Sequence, residues 1–245
     1  MVAALLLLLF TLPLQAQVNI ETYRGEQGVG GDLRFSLRAD LGNVDVVKSD
    51  WAGHLTIRTA TGVFLGICKG GVGLLGGKRF ANSGVLHLRW TLTADSRYQT
   101  EVFGQGDYAK PRRLDTRMLA GAGLRFNAYQ QEHRSFSLGA ALMWERERLT
   151  LLPGDPHPAS TQLVRWSSYA NFSYRGNVDF ATTVYAQPAF SEWGNLRVLG
   201  TVELSTLLIG PLRQTTSIDF RIDTHSPRGV EERDLKFGTS FGLKF

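Results

Sequence analysis

Polar and apolar residues alternate along most of this chain, in segments separated by breaks rich in glycine, proline or polar residues. In one such segment, Leu86, Leu88 and Trp90 alternate with His87 and Arg89. A period of two residues places successive side chains on opposite faces of a β-strand. The alternation therefore predicts an all-β chain whose strands each have one apolar and one polar face.

Twelve segments show this pattern, and an even number of strands is expected of a single-chain outer-membrane barrel. The third segment is the least regular, because the glycine-rich stretch 70–77 also fits a flexible loop. The predicted strands span residues 30–41, 44–59, 63–70, 80–93, 97–109, 113–127, 134–148, 162–175, 178–188, 195–207, 212–223 and 234–245.

A soluble β-sandwich would show the same alternation, so other features must separate it from a membrane barrel. The apolar face is bulky on every strand, which requires a continuous apolar surround such as lipid. Arginines and acids share the polar face, as suits a lumen that contains water. Short breaks such as 59–62 alternate with long ones at 70–80, 149–161 and 223–233. We therefore predict a membrane-spanning, antiparallel, up-and-down β-barrel.

The first sixteen residues have the character of a signal peptide. The apolar run from Val2 to Leu12 is too short to cross a bilayer as a helix, and Pro13 ends it. We therefore predict a signal peptide over 1–16, a periplasmic lead-in over 17–29 and the barrel over 30–245. The single cysteine, Cys68, cannot form a disulfide within the chain.

The last strand carries the pattern of an outer-membrane assembly signal. Its apolar face would meet lipid, and its terminal aromatic residue suits the membrane interface. We therefore expect the outer-membrane lipid bilayer and the assembly machinery as partners. The residues predicted to form this signal are Gly238, Phe241, Leu243 and Phe245.

The interior of the chain resembles one family. Residues 98–108 (YQTEVFGQGDY) and 113–125 (RLDTRMLAGAGLR) look like the central motif of the salt-stress-induced outer-membrane proteins, catalogued as domain of unknown function 481. Residues 30–33 and 42–45 are similar to the first hairpin of that family. The resemblance implies an outer-membrane barrel without a settled biochemical activity. The glycine-rich stretch 70–77 and the basic polar face depart from the family pattern.

The net charge of +5 raises nucleic acid as a partner, but the arginines are scattered singly and form no basic block. We therefore expect no nucleic-acid binding. The charged side chains instead gather on the polar face, where they would line the lumen. The residues predicted to line it are Arg34, Arg38, His87, Arg89, Glu101, Arg117, Arg125, Arg165, Arg197, Glu203, Asp219 and Arg221.

Three functions remain open for such a lumen. Acids paired with arginines would fill it and give a structural or envelope-stress barrel. Surplus arginine would instead line a narrow, weakly anion-selective channel for small anionic solutes. An enzyme with a site in the lumen or loops is the third alternative. Twelve strands lie between small filled barrels and open porins, so barrel size does not decide.

The histidines give little support for catalysis or for a metal. His54 and His87 fall on the polar face of strands that would not be adjacent, and no nucleophile is identified beside either. His157 lies in a proline-rich stretch that is typical of a stiff loop. Carboxylates around the last long loop suit a loose divalent-cation site, but a solvated loop explains them better. We expect no enzymatic activity, no cofactor and no metal. The residues of that loop group are Asp219, Asp223, His225, Glu231 and Glu232.

Overall fold

The computed structural model describes residues 28–40, 45–92 and 96–244, which form twelve antiparallel strands closed into a barrel. Each strand pairs with its neighbours in chain order, and the last strand closes the barrel against the first. The predicted all-β, up-and-down barrel is thereby confirmed. The strands are β1 (Gly28–Asp40), β2 (Val46–Thr59), β3 (Gly62–Leu75), β4 (Lys78–Leu92), β5 (Tyr98–Ala109), β6 (Leu114–Gln130), β7 (Arg134–Leu149), β8 (Ser160–Tyr174), β9 (Val178–Ala189), β10 (Glu192–Ile209), β11 (Leu212–Asp223) and β12 (Arg233–Lys244).

The barrel begins at Gly28, two residues before the predicted start. The predicted signal peptide and residues 17–27 of the lead-in lie outside the described part of the chain. No helix within the described ranges is long and apolar enough to cross a bilayer.

The third predicted strand is present and extends through the glycine-rich stretch, which forms a strand and a tight turn and not the flexible loop that its composition also fits. Strand β3 continues to Leu75, and the turn consists of Gly76 and Gly77, both with positive φ. The physical reason lies in aromatic packing: a Cβ atom on Gly70 would lie 2.0 Å from Cζ2 of Trp51 on β2. Glycine here makes room for a ring and does not interrupt the strand.

The two ends of the barrel differ. We call the end where β1 begins and β12 ends the terminal rim, and the opposite end the loop rim. Among the described connections at the loop rim, those at 150–159 and 224–232 are long, whereas those at 76–77 and 190–191 have two residues each. The predicted alternation of short and long breaks therefore holds at only part of this rim.

The outer surface of the barrel is apolar. All five tryptophans lie on it, with exposures between 37% and 65%. In a water-soluble domain, large aromatic side chains are mostly packed inside, and an apolar surface of this extent marks contact with a partner or a membrane. The outer surface is therefore suited to lipid. The tryptophans are Trp51, Trp90, Trp144, Trp166 and Trp193.

The barrel closes through the end of β12. Pairing between β1 and β12 runs from Asp32 opposite Lys244 to Phe35 opposite Phe241. Among the predicted assembly-signal residues, Phe241 and Leu243 face outward and are exposed, Gly238 faces the lumen and is buried, and Phe245 lies outside the described residues. The outward aromatic face of the last strand agrees with the prediction.

Candidate functional site

The lumen is filled with charged and polar side chains. The structure places the predicted lumen residues on the inner face of the barrel, although the side chain of Arg38 lies outside the described part. Buried among them are His87, Arg89, Glu101, Arg117, Arg125, Arg165, Arg197, Glu203 and Arg221, while Arg34 and Asp219 are partly exposed.

Glu145 on β7 is the centre of one ion-pair network. Its Oε1 accepts a hydrogen bond from Nε of Arg165 on β8 at 2.9 Å, and its Oε2 accepts one from Arg197 on β10 at 2.8 Å. Arg197 also donates to Glu147 at 3.2 Å and to Asp223 at 3.0 Å. Because β7 and β10 are not neighbours in the barrel wall, the contacts from Arg197 to Glu145 and Glu147 cross the lumen, whereas the other two join neighbouring strands.

Further ion pairs extend this network around the loop rim. Arg117 on β6 donates from Nε and a terminal nitrogen to the two carboxylate oxygens of Asp107 on β5, at 2.9 and 2.7 Å. Arg221 donates to Asp223, which also accepts from Arg197. Charge-assisted hydrogen bonds of this kind, especially bidentate ones, are stronger than hydrogen bonds between neutral groups.

Glu101 on β5 organises the middle of the lumen. It accepts hydrogen bonds from Arg89 at 2.7 Å and from the Tyr169 hydroxyl at 2.8 Å. Tyr169 lies on β8, three strands away along the wall, so this contact also crosses the lumen. Tyr169 packs with Tyr185 and Leu199 in a small buried apolar cluster. The barrel is therefore tied across at two levels, by Glu145 and by Glu101.

A third group of charges lies on β1, β2 and β10. Asp32 accepts from Nδ1 of His54 at 2.6 Å and from Nε of Arg34 at 2.9 Å. Arg34 reaches Glu203 at 3.8 Å. The first two contacts run along the wall, since β1 and β2 are neighbours, and the last crosses from β1 to β10.

A cavity of about 50 Å³ lies next to Glu101 and is also lined by His87, Phe103 and Tyr169. This volume holds a few water molecules at most. It is too small for a solute of the size of a sugar.

Several inner residues were not identified from the sequence. Glu145 and Glu147 follow the strand period of β7 and could have been placed on the inner face from parity alone. Val63, Leu65 and Ile67 of β3 are buried on the inner face, where polar residues were expected. With the two glutamates counted, the predicted excess of arginine over acid on the inner face is smaller than expected.

The structure pairs His87 with groups that supply no nucleophile. Its Nδ1 bonds Oε1 of Gln105 at 3.1 Å, and its Nε2 accepts from Nε of Arg89 at 3.4 Å. Both ring nitrogens of His87 are thus occupied by an amide and a guanidinium. A general base would instead be expected to contact the hydroxyl or thiol that it activates.

The acidic group at the last long loop is dispersed in the structure. Asp223 pairs with Arg197 and Arg221, and His225 lies 3.3 Å from Glu192. Across the described ranges, no three His, Cys, Asp or Glu side chains are arranged to hold a metal ion.

Comparisons with known proteins agree with this architecture. The sequence model of a family described as "Protein of unknown function, DUF481" matches residues 81–245. No curated protein matches the sequence at a significant level. A NanC porin of known structure has 10% identity and a TM-score of 0.51, covering 88% of this chain and 98% of the porin. The translocator domain of the autotransporter NalP from Neisseria meningitidis has 7% identity and a TM-score of 0.50, with coverage of 91% and 90%. The shared feature is the fold, that of outer-membrane barrel proteins.

Proposed function

The chain belongs to the DUF481 family of proteins of unknown function, and we propose that it is an integral outer-membrane β-barrel whose lumen is closed by ion pairs. The apolar outer surface with its exposed tryptophans supports residence in a bilayer. The even number of antiparallel strands supports the outer membrane as the site of that bilayer.

The closed lumen is supported by one observation above all. Arg197 joins β10 to Glu145 on β7, and Tyr169 joins β8 to Glu101 on β5. Each of these side chains is buried, so they occupy the cross-section that a solute would need. In a low-dielectric interior, a buried arginine that lost its carboxylate would be strongly destabilised, so the network resists opening.

We further propose that the barrel serves the envelope as a structural, stress-related component and has no enzymatic activity. The resemblance to the salt-stress-induced outer-membrane proteins supports the choice of high salt as the condition to test. A deletion strain should then grow poorly at high salt and recover when the wild-type chain is restored. Normal growth of the deletion strain under salt stress would contradict this part of the proposal.

Planar-bilayer recording tests whether the lumen is closed. Folded wild-type protein, verified by a shift in gel mobility on boiling, should show no conductance. The triple variant Glu145→Ala/Arg165→Ala/Arg197→Ala removes three large side chains of one network and should open an ion path. The control Asp32→Ala/His54→Ala removes a pair that runs along the wall between β1 and β2, and it should stay closed.

Conductance of the folded wild type would overturn the closed-lumen proposal. A preference for anions in that case would support the alternative of a narrow anion-selective channel. A silent wild type together with a silent triple variant would show that the Glu145 network is not what closes the lumen.

A further inference from the structure

The ion pairs at the loop rim carry an unbalanced positive charge. We call this group the loop-rim cluster and count in it every arginine and acid joined by the contacts around Glu145, Glu147, Asp107 and Asp223. The group holds five guanidinium groups against four carboxylates, a net charge of +1. Its members are Arg112, Arg117, Arg165, Arg197, Arg221, Asp107, Glu145, Glu147 and Asp223.

Arg112 is the member whose charge is least compensated. It lies in the short helical turn Lys110–Arg112 between β5 and β6, and its one ion pair with a described residue is with Asp107 at 3.7 Å. Both oxygens of Asp107 already accept hydrogen bonds from Arg117. Burial lowers the pKa of the Arg112 guanidinium, and the positive charges of Arg117 and Arg197 lower it further. Arg112 is thus a nearly buried cation without a hydrogen-bonded acid of its own.

Arg221, a second arginine of the loop-rim cluster, has a buried hydrogen-bond donor without an acceptor. One of its terminal nitrogens binds Asp223, but its buried Nε–H has no hydrogen-bond acceptor among the described residues. A buried donor left without an acceptor costs about 1–3 kcal/mol. An additional acceptor beside Arg221 would remove this penalty.

A small cavity lies between these two arginines. It has a volume of about 10 Å³, and Arg112, Arg117, Arg221, His225 and Ser226 line it. Its two acidic neighbours, Glu147 and Asp223, are each held by Arg197. This space admits the centre of one small sphere, such as a water molecule or a monatomic ion. A phosphate or an organic acid would not fit.

The long loop 224–232 lines this cavity, and the other long loop is tied to it. The backbone N–H of Arg228 in 224–232 donates to Oδ2 of Asp155 in 150–159 at 2.9 Å, which ties the loops together. The N–H of Thr150 donates to the carbonyl oxygen of Arg113 at 2.8 Å and fixes the first loop beside the turn that carries Arg112. The loop 224–232 and the turn therefore border the cavity, and the loop 150–159 is fastened to both of them.

We propose that this cavity binds one monovalent inorganic anion of about the size of chloride, held by Arg112 and Arg221. One negative charge balances the cluster, and a spherical acceptor fits the available volume. The anion would give Arg112 a close counter-charge and Nε of Arg221 an acceptor. This inference goes beyond the closed lumen, since such a site at the loop rim can be filled whether or not the barrel conducts.

Chloride-35 NMR of the folded barrel in detergent tests the proposal directly. Bound chloride in exchange with bulk broadens the resonance, so the wild type should broaden it above the level of protein-free micelles. Arg112→Gln removes the surplus charge and should return the linewidth to that of micelles alone. Arg148→Gln is the matched control. Arg148 is exposed near the loop-rim end of β7 and lies outside the loop-rim cluster.

Unfolding measurements provide a second readout. At constant ionic strength, wild-type stability should rise saturably as chloride replaces gluconate, an anion too large for the cavity. Arg112→Gln should lose this dependence, and Arg148→Gln should keep it. Two results would overturn the proposal: a wild type that neither broadens the resonance nor responds to chloride, or broadening that persists in Arg112→Gln. If a variant does not fold, the chloride linewidth and the chloride-dependent stability of the wild type still test the proposal.

Discussion

Arg197 on β10 donates a hydrogen bond to Glu145 on β7 at 2.8 Å, across a lumen in which these two strands are separated by β8 and β9 along the wall. Glu145 accepts from Arg165 with its other oxygen, so one buried carboxylate serves two guanidinium groups. The barrel is therefore held together by its interior charges as well as by the hydrogen bonds between neighbouring strands.

Loss of Glu145 should destabilise the barrel strongly. Glu145→Ala leaves Arg165 and Arg197 with fewer counter-charges in a buried site, and breaking a buried pair in this way costs about 3–5 kcal/mol. Urea unfolding of the protein inserted in lipid vesicles measures the loss. The control is Asp179→Ala, whose partner Arg213 is partly exposed, and it should cost at most about 1 kcal/mol. Equal losses for the two variants would contradict the central position of Glu145.

Gly123 should tolerate no side chain. A Cβ atom on Gly123 of β6 would lie 2.3 Å from the carbonyl oxygen of Ala140 on β7, and a backbone atom of a paired strand cannot move aside cheaply. We expect Gly123→Ala to destabilise the barrel by about 1–3 kcal/mol, the usual cost of overpacking. Gly106→Ala provides the comparison, because a Cβ there meets nothing within 4 Å. The same urea titration should show Gly106→Ala close to the wild type.

An acid on the outer face of β12 should impair insertion. Phe241 is exposed on that face and pairs with Phe35 across the closing seam. Phe241→Asp would place a charge against lipid, at a cost of about 2 kcal/mol depending on depth, and would alter the predicted assembly signal. Ser240→Asp puts the same group on the neighbouring residue, which faces the lumen. The fraction of heat-modifiable protein in membranes should fall for Phe241→Asp and change much less for Ser240→Asp.

Export should remove the first sixteen residues. We expect the mature chain to begin at Gln17 and to fractionate with the outer membrane, because the apolar run before it has the length of a signal peptide. Mass spectrometry of protein from separated envelope fractions would give both the terminus and the location. Recovery from the soluble periplasm, with no change in gel mobility on boiling, would contradict the membrane assignment.

The strand period predicted most of the fold, because parity alone decides which face of each strand a residue occupies. It placed Arg117, Arg165 and Arg197 in the lumen, where the structure has them. The same rule applies to Glu145 and Glu147, so the acids that balance those arginines could have been found from the sequence. The pairing of each acid with its arginine could not be predicted from the sequence, because contacts across the lumen depend on the stagger and curvature of the whole barrel.

Two other features have no signal in the local sequence. Arg112 lies in a turn, where the strand period ends and gives no direction for the side chain. The glycines of β3 resemble a loop in composition. Only the ring of Trp51 on the neighbouring strand β2 shows why Gly70 must lack a side chain. For Gly70 the determining partner lies on another strand, nineteen residues away.

The outward position of every tryptophan makes the protein its own fluorescent probe. Indole emission from the folded barrel reports on the surrounding acyl chains, since the lumen and the described ion-pair networks contain no indole. Insertion into vesicles should shift the emission to shorter wavelength, and lipids brominated along their chains should quench it. Bromines placed at different depths would then report the average depth of the indoles along the membrane normal, without any label being attached.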